Sequence, residues 1–396
     1  MTDIAIQGGH VLLGNEIAEA FIHIADGKIA EISLRHPDSV IRVDSRGLIA
    51  LPGIVDMHGD AFERQMMPRP GVDFPIDVAL VDSDRQAIAN GITTVFHATT
   101  WSWEPGLRGT ENAHRLLSAI ETMQPQLAAD TRFHLRQETF NLDAEPTIAE
   151  WLVAGRVDLL AFNDHMDMTT ASMSNPKKRM RMVERSGLSE SGFDNLVQRI
   201  LERASEVPAS IERLAAIACD QRIPLLSHDD KSPKQRTGFR ALGINLAEFP
   251  INEETARAAT AAGDFTVFGA PNVVRGGSHT GWTSAAEMVS KGLCSILASD
   301  YYYPAPLLAA FMLAADNVLP LPQAWSLVSG APAAATGLHD RGQISPGKRA
   351  DIILVDAHEP LRPRVVAAIT EGRIVYLTEP QRLLSTTSAM REVETA

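Results

Sequence analysis

The sequence predicts an α/β protein: a (β/α)8 TIM-like barrel carrying a small β-sandwich domain built from both chain ends. Three observations predict it. The 396 residues exceed one ordinary core. Eight short apolar runs alternate with helical stretches through the middle of the chain. Both ends show only short strands and tight turns.

The N-terminal strands are expected at 3–6, 10–13, 20–24 and 29–32, with Ala25-Asp26-Gly27-Lys28 as a hairpin turn. The barrel strands follow at 54–58, 93–97, 132–136, 159–163, 224–228, 245–249, 265–269 and 295–300. Stretches such as 211–219 and 253–262 carry helical periodicity between them. The far end returns to strands at 349–356, 365–369 and 374–377, with a turn at Glu371-Gly372-Arg373. Residues 1–50 and 345–380 thus form the composite β-sandwich, 51–344 the barrel, and 381–396 a weakly ordered tail. A doubly wound open sheet is the competing architecture, but no Gly-rich phosphate fingerprint follows a strand. The stretch 165–210 is a long, polar, Met-rich excursion after the fourth strand. It is expected to be a lid or a dimer contact, and a homodimer is the assembly drawn from it.

Composition narrows the function classes. A net charge of −13 argues against nucleic acid and against an anionic membrane surface as partners. It leaves room for an anionic small molecule, because a metal and a few arginines can reverse the field inside a cleft. Cys219 and Cys294 sit in apolar stretches and are expected as buried thiols. The N-terminus shows no secretory pattern and no apolar run reaches spanning length, so a cytoplasmic location is expected.

The barrel strands end in potential metal ligands. His58 and Asp60 follow the first, Glu138 the third, His228 the fifth, and Asp300 ends the eighth. Imidazoles and carboxylates converging on one rim are what a hydrolytic centre needs, with a divalent cation to acidify a water. The metal set expected is His58, Asp60, Glu138, His228 and Asp300, with Glu248 as an additional possibility. Asp300 is the expected general base. Zinc is the expected ion, as one or two ions, with manganese or iron as alternatives. His97, His134 and His165 are expected to be hydrogen-bonded boundary residues instead. The roles of Asp229 and Asp230, ligand or ion-pair partner, stay open.

Two segments resemble anion handles. Arg69 sits in a proline-stiffened loop after the first ligands, and Arg275 and His279 flank Gly276-Gly277 after the seventh strand. Guanidinium forks match phosphate oxygens, so Arg69, Arg275 and His279 are the expected phosphate contacts. The run Lys177-Lys178-Arg179-Met180-Arg181 is expected to be a solvated helix face. Trp101 and Trp103 are expected near the mouth, after the second strand.

The residues Leu51-Pro52-Gly53-Ile54-Val55-Asp56-Met57-His58 and Gly342-Gln343-Ile344-Ser345-Pro346-Gly347 resemble two signatures of the amidohydrolase superfamily. His58-Gly59-Asp60, Ser227-His228-Asp229-Asp230, Pro271-Asn272-Val273-Val274-Arg275-Gly276-Gly277 and Ser299-Asp300-Tyr301-Tyr302 resemble its PhnM-type branch of phosphonate breakdown. The chain departs from that branch at Gln137, at 166–171 and at 231–236. The resemblance implies hydrolysis of α-D-ribose 1-methylphosphonate 5-triphosphate to the 5-phosphate and pyrophosphate by metal-activated water. A hydrolase of a C–N bond, an amidase or deaminase, is the alternative that the superfamily leaves open.

Overall fold

The computed structural model describes residues 3–34, 41–69, 71–277, 281 and 283–385. Its centre is an eight-stranded parallel sheet whose neighbours follow chain order. The strands are β8 (Ile54–Gly59), β9 (Ile92–Trp101), β10 (Asp130–Glu138) and β11 (Leu159–Asn163), then β12 (Leu225–His228), β13 (Leu246–Glu248), β14 (Phe265–Gly269) and β15 (Ile296–Ala298). Every residue of β8 and β9 is buried, as strands covered on both faces require. A parallel bridge between Gly59 and Asp300 joins the last strand to the first. All eight expected strands are present. β9 and β10 run longer than expected, because their polar ends stay paired from Phe133 with His97 to Gln137 with Trp101.

Alternation sorts the barrel's side chains. Val55 and Met57, Leu159 and Ala161, Leu226, Leu246, and Ile296 and Ala298 fill the interior. Helices such as Ile76–Ala89 and Thr110–Met123 cover the outside.

Two more sheets come from the chain ends. One has the order β19 (Leu383–Ser385), β6 (Ile41–Asp44), β1 (Ile4–Gln7), β4 (Phe21–Ala25) and β5 (Lys28–Ser33). The other runs β18 (Arg373–Leu377), β17 (Arg364–Thr370), β16 (Ile352–Asp356), β7 (Ile49–Pro52), β2 (His10–Leu13) and β3 (Glu16–Glu19). Ile4, Ile22, Val43, Leu354 and Val366 share one core between them. Both expected hairpin turns form, with Asp26-Gly27 and Glu371-Gly372 in left-handed conformations.

Two expectations are corrected, on the tail and on Cys219, and the excursion after β11 takes a defined form. The tail is ordered as far as β19, which pairs with β6 from Leu383–Val43 to Ser385–Ile41. Cys219 is exposed at the end of its helix, while Cys294 is buried. The excursion after β11 is three helices, Met166–Met173, Pro176–Ser186 and Glu190–Glu202, set before the barrel helix Val207–Asp220. Among the described residues no helix is long and apolar enough to cross a membrane.

Candidate metal centre

Strand parity decides which side chains reach the mouth. His228, Glu248 and Asp300 stand two residues beyond the interior Leu226, Leu246 and Ala298, and so face the same way. His58 does not follow from parity, since Met57 already faces inward. The register of β8 on β9 slips between Asp56 and Gly59, and this bulge turns the His58 ring into the barrel. There it lies 5.6 Å from the His134 ring and 5.9 Å from the His228 ring, centre to centre. Asp229, Phe249 and Asp300, at the ends of strands five, six and eight, all have positive φ, 58°, 52° and 53°. Such backbone is uncommon for these residues and concentrates at functional mouths.

Among the described residues, the side-chain atoms that could hold a metal ion fall into three groups, the atoms of each lying within 4.8 Å of one another. The first is His58, Asp60 and Asp300. Burial raises the Asp300 carboxyl, and the like charge of Asp60 adds to it, to a pKa of about 6. The second is His165, His228 and Asp229. Burial would keep His165 neutral, but its bonds to Asp229 and Glu138 outweigh this and raise its pKa to about 9. Burial also lowers the His228 pKa and favours the neutral ring that a metal ligand must be. The third and deepest group is His58, His134 and Glu248. Here Glu248 Oε1 accepts from His58 Nδ1 at 2.6 Å. A carboxylate so placed fixes the tautomer and leaves Nε2 of His58 for a ligand.

Arg136 lies between the first two groups. Its Nη2 donates to His228 Nε2 at 3.1 Å, and its Nη1 is 3.6 Å from Asp60 Oδ2. His228 Nε2 therefore presents a lone pair to a positive charge.

The donor set fits a divalent cation. His134 Nε2 and Glu248 Oε2 are buried with no hydrogen-bond partner among the described residues, while His228 Nδ1 lies 3.2 Å from Asp229 Oδ1. Imidazole nitrogens and carboxylate oxygens without thiolate suit zinc, manganese or iron. The mouth opens into a cavity of about 300 Å³ walled by Met168, Phe249, Pro250 and Phe268 as well as the polar groups.

The structure therefore brings His58, Asp60 and Asp300 together, with His228 beside them. Glu138, expected as a ligand, falls in none of the three groups and instead accepts from His165 Nδ1 at 2.5 Å. His134 and His165 are hydrogen-bonded as expected, to the Met57 carbonyl at 3.0 Å and to Glu138 at 2.5 Å, and each also falls in a candidate group. His97 is buried against the Phe62 ring with neither nitrogen hydrogen-bonded among the described residues. Asp229 faces the site, whereas Asp230 turns to Arg236 at 2.9 Å. Arg69 and Arg275 are exposed and line neither this cavity nor the one beside it. His279 lies outside the described residues. Trp101 packs away from the mouth against Trp151, with its Nε1 on Thr110. Arg136 and His165 are the residues that sequence reasoning undervalued. Arg136 has the strand parity of His134 and Glu138, and His165 follows a strand end as the other candidate residues do.

The model of the Amidohydrolase family matches residues 76–376. The α-D-ribose 1-methylphosphonate 5-triphosphate diphosphatase of Escherichia coli (strain K12) is 35% identical over 359 residues, covering 88% of this chain and 94% of that protein. The adenine deaminase of Brucella abortus (strain 2308) is 25% identical over 94% of this chain, which spans 57% of that longer protein. The solved structure of molinate hydrolase superposes with a TM-score of 0.63 at 16% identity, over 94% of each chain, a likeness of fold. The expected resemblance is thereby met in sequence and in architecture, and the chain belongs to the amidohydrolase family of hydrolases.

Proposed function

We propose that the chain hydrolyses α-D-ribose 1-methylphosphonate 5-triphosphate to the 5-phosphate and pyrophosphate. One observation carries the reading. A chain 35% identical to that diphosphatase over nearly its whole length gathers His58, Asp60 and Asp300 at one rim, opposite His165, His228 and Asp229. A divalent ion bound there, zinc in our reading, would acidify a water and offset phosphate charge.

The chain's own groups divide the remaining work. Asp300 accepts the proton of the attacking water at its carboxylate. Burial and the neighbouring Asp60 charge raise its pKa and make it a stronger base than an ordinary carboxylate. Water adds to the phosphorus nearest the sugar, and the bond to the pyrophosphate oxygen breaks with its electron pair. Arg136, reaching between Asp60 and His228, is placed to face the oxygens of that phosphorus. Glu248 keeps the His58 ring in one tautomer.

A second reading has one observation in its favour. Phe249 and Phe268 give the small cavity aromatic walls that suit a planar base, and the Brucella relative is an adenine deaminase. Incubating metal-loaded protein with the ribose triphosphate, and separately with adenine, decides between them. Pyrophosphate release without ammonia is the expected result. Ammonia from adenine with no pyrophosphate would replace the first reading with the second.

A further inference from the structure

The wall formed by Glu138, His165 and Asp229 has a cavity on each side. The metal-side cavity of about 300 Å³ is lined by Asp229, and a second, of about 430 Å³, is lined by Glu138 and His165. Met168 lines both. An extended molecule whose reacting atom sits at Asp300 would reach the second space by passing Met168.

The second cavity is basic in a protein whose net charge is −13. The helix Pro176–Ser186 presents Lys178, Arg181 and Met182 to it, a spacing that puts all three on one helix face. Arg179, between them, turns the other way and is taken by Glu190 and by Asp194, the latter at 2.8 Å. Only part of the basic run is therefore the solvated face expected from sequence. Arg108 also lines the cavity and is held by Glu63 at 2.9 Å. Lys178 and Arg181 enter no ion pair among the described residues. Of the two carboxylates in the lining, Glu138 is paired with His165, and Glu104 is the other. Thr169 and Ser172, one turn apart on the neighbouring helix, add hydroxyl donors.

We propose that this second cavity seats the polyphosphate end of the substrate, with Lys178 and Arg181 as its specificity-determining contacts. An ammonium and a guanidinium above two hydroxyls match a chain of phosphate oxygens, and an uncharged substrate would leave that charge unanswered. The inference rests on the phosphohydrolase reading given above.

Both side chains are solvent-exposed, so their removal leaves the fold intact. The test compares metal-loaded wild type, the Lys178→Ala/Arg181→Ala double variant and Lys178→Arg. Calorimetric titration with inorganic tripolyphosphate is run beside steady-state kinetics on the ribose triphosphate. The double variant should weaken tripolyphosphate binding about ten-fold or more. It should raise KM by a similar factor and hold kcat within a few-fold, while Lys178→Arg behaves like wild type. Wild-type affinity should also fall as salt rises. Unchanged KM in a double variant that still turns over substrate would overturn the anion seat and leave the function standing. A wild type without turnover, whose tripolyphosphate binding still collapses in the double variant, would overturn the function and leave the anion seat standing.

Discussion

The amide of Asp300 donates to the carbonyl of His58 at 2.9 Å, and the amide of Asp60 returns to the carbonyl of Asp300 at 3.0 Å. These two bonds are the seam of the barrel, where the last strand meets the first. Closing the barrel and gathering His58, Asp60 and Asp300 are therefore one event. The seam holds Asp300 in the left-handed region, at φ 53°, a strained conformation that persists because both flanking bonds demand it.

Asp300→Asn keeps the shape of that side chain and removes its ability to take a proton. The substitution should lower kcat for pyrophosphate release by a factor of about 100 to 10,000. A variant within a few-fold of wild type at saturating substrate would remove Asp300 from the chemistry.

Stripping the metal tests the ligand groups. Chelation should abolish turnover, and added zinc or manganese should restore it. The melting temperature should fall on chelation, because an ion that binds only the folded chain stabilises it by mass action. His165→Ala should lower the metal-to-protein ratio measured by elemental analysis, since it removes a ring that becomes a donor of the second group once a cation displaces its proton. A ratio equal to that of wild type would confine the metal to the group around His58.

Asp56 is the brace behind the seam. It is wholly buried, and its carboxylate accepts from the Ser299 amide at 2.9 Å and the Ser299 hydroxyl at 2.5 Å. The fit is tight, since a Cβ on Gly59 would stand 2.7 Å from Asp56 Oδ2. Asp56→Ala leaves the Ser299 donors buried and unmet, which costs about 1–3 kcal/mol. Thermal unfolding should show that loss, and metal content should fall with it as Asp300 loses its support. Asp56→Asn keeps an acceptor for Ser299 and should recover most of both. Equal metal content in Asp56→Ala and wild type would separate the brace from the site.

The barrel was legible because parallel strands buried on both faces leave continuous apolar runs, and β8 or β11 cannot be mistaken for loops. The edges of the sandwich were not. β3 alternates Glu16 and Glu19 around two small or apolar residues and is mostly exposed, so no buried face marks it. β19 is three residues long and exists only through its pairing with β6. At the site, His58, Asp60 and Asp300 were readable from strand ends, although His58 reaches its place by a bulge that no sequence pattern announces. Nothing local in the sequence marks Arg136 as buried, since a single arginine is usually exposed. Its burial follows from facing the carboxylates and His228 across the barrel, a relation between strands distant in sequence.

His97 supplies the pH prediction. Burial lowers its pKa from the ordinary 6.5 to about 4, so the folded chain keeps the ring neutral where the unfolded chain would protonate it. Between those values the unfolded state binds the extra proton. The contribution is thus fully present above about pH 6.5 and is lost progressively as pH falls towards 4. Each unit of pH in that window costs about 1.4 kcal/mol from this group. His97→Leu removes the titration and two buried nitrogens without partners among the described residues. Relative to wild type, the variant should gain stability as pH is lowered, by about 3 kcal/mol over the whole window. Denaturant unfolding of both proteins across that range measures the gap, in which every group common to the two cancels. A gap that stays constant with pH would mean that His97 titrates alike in the folded and unfolded chains.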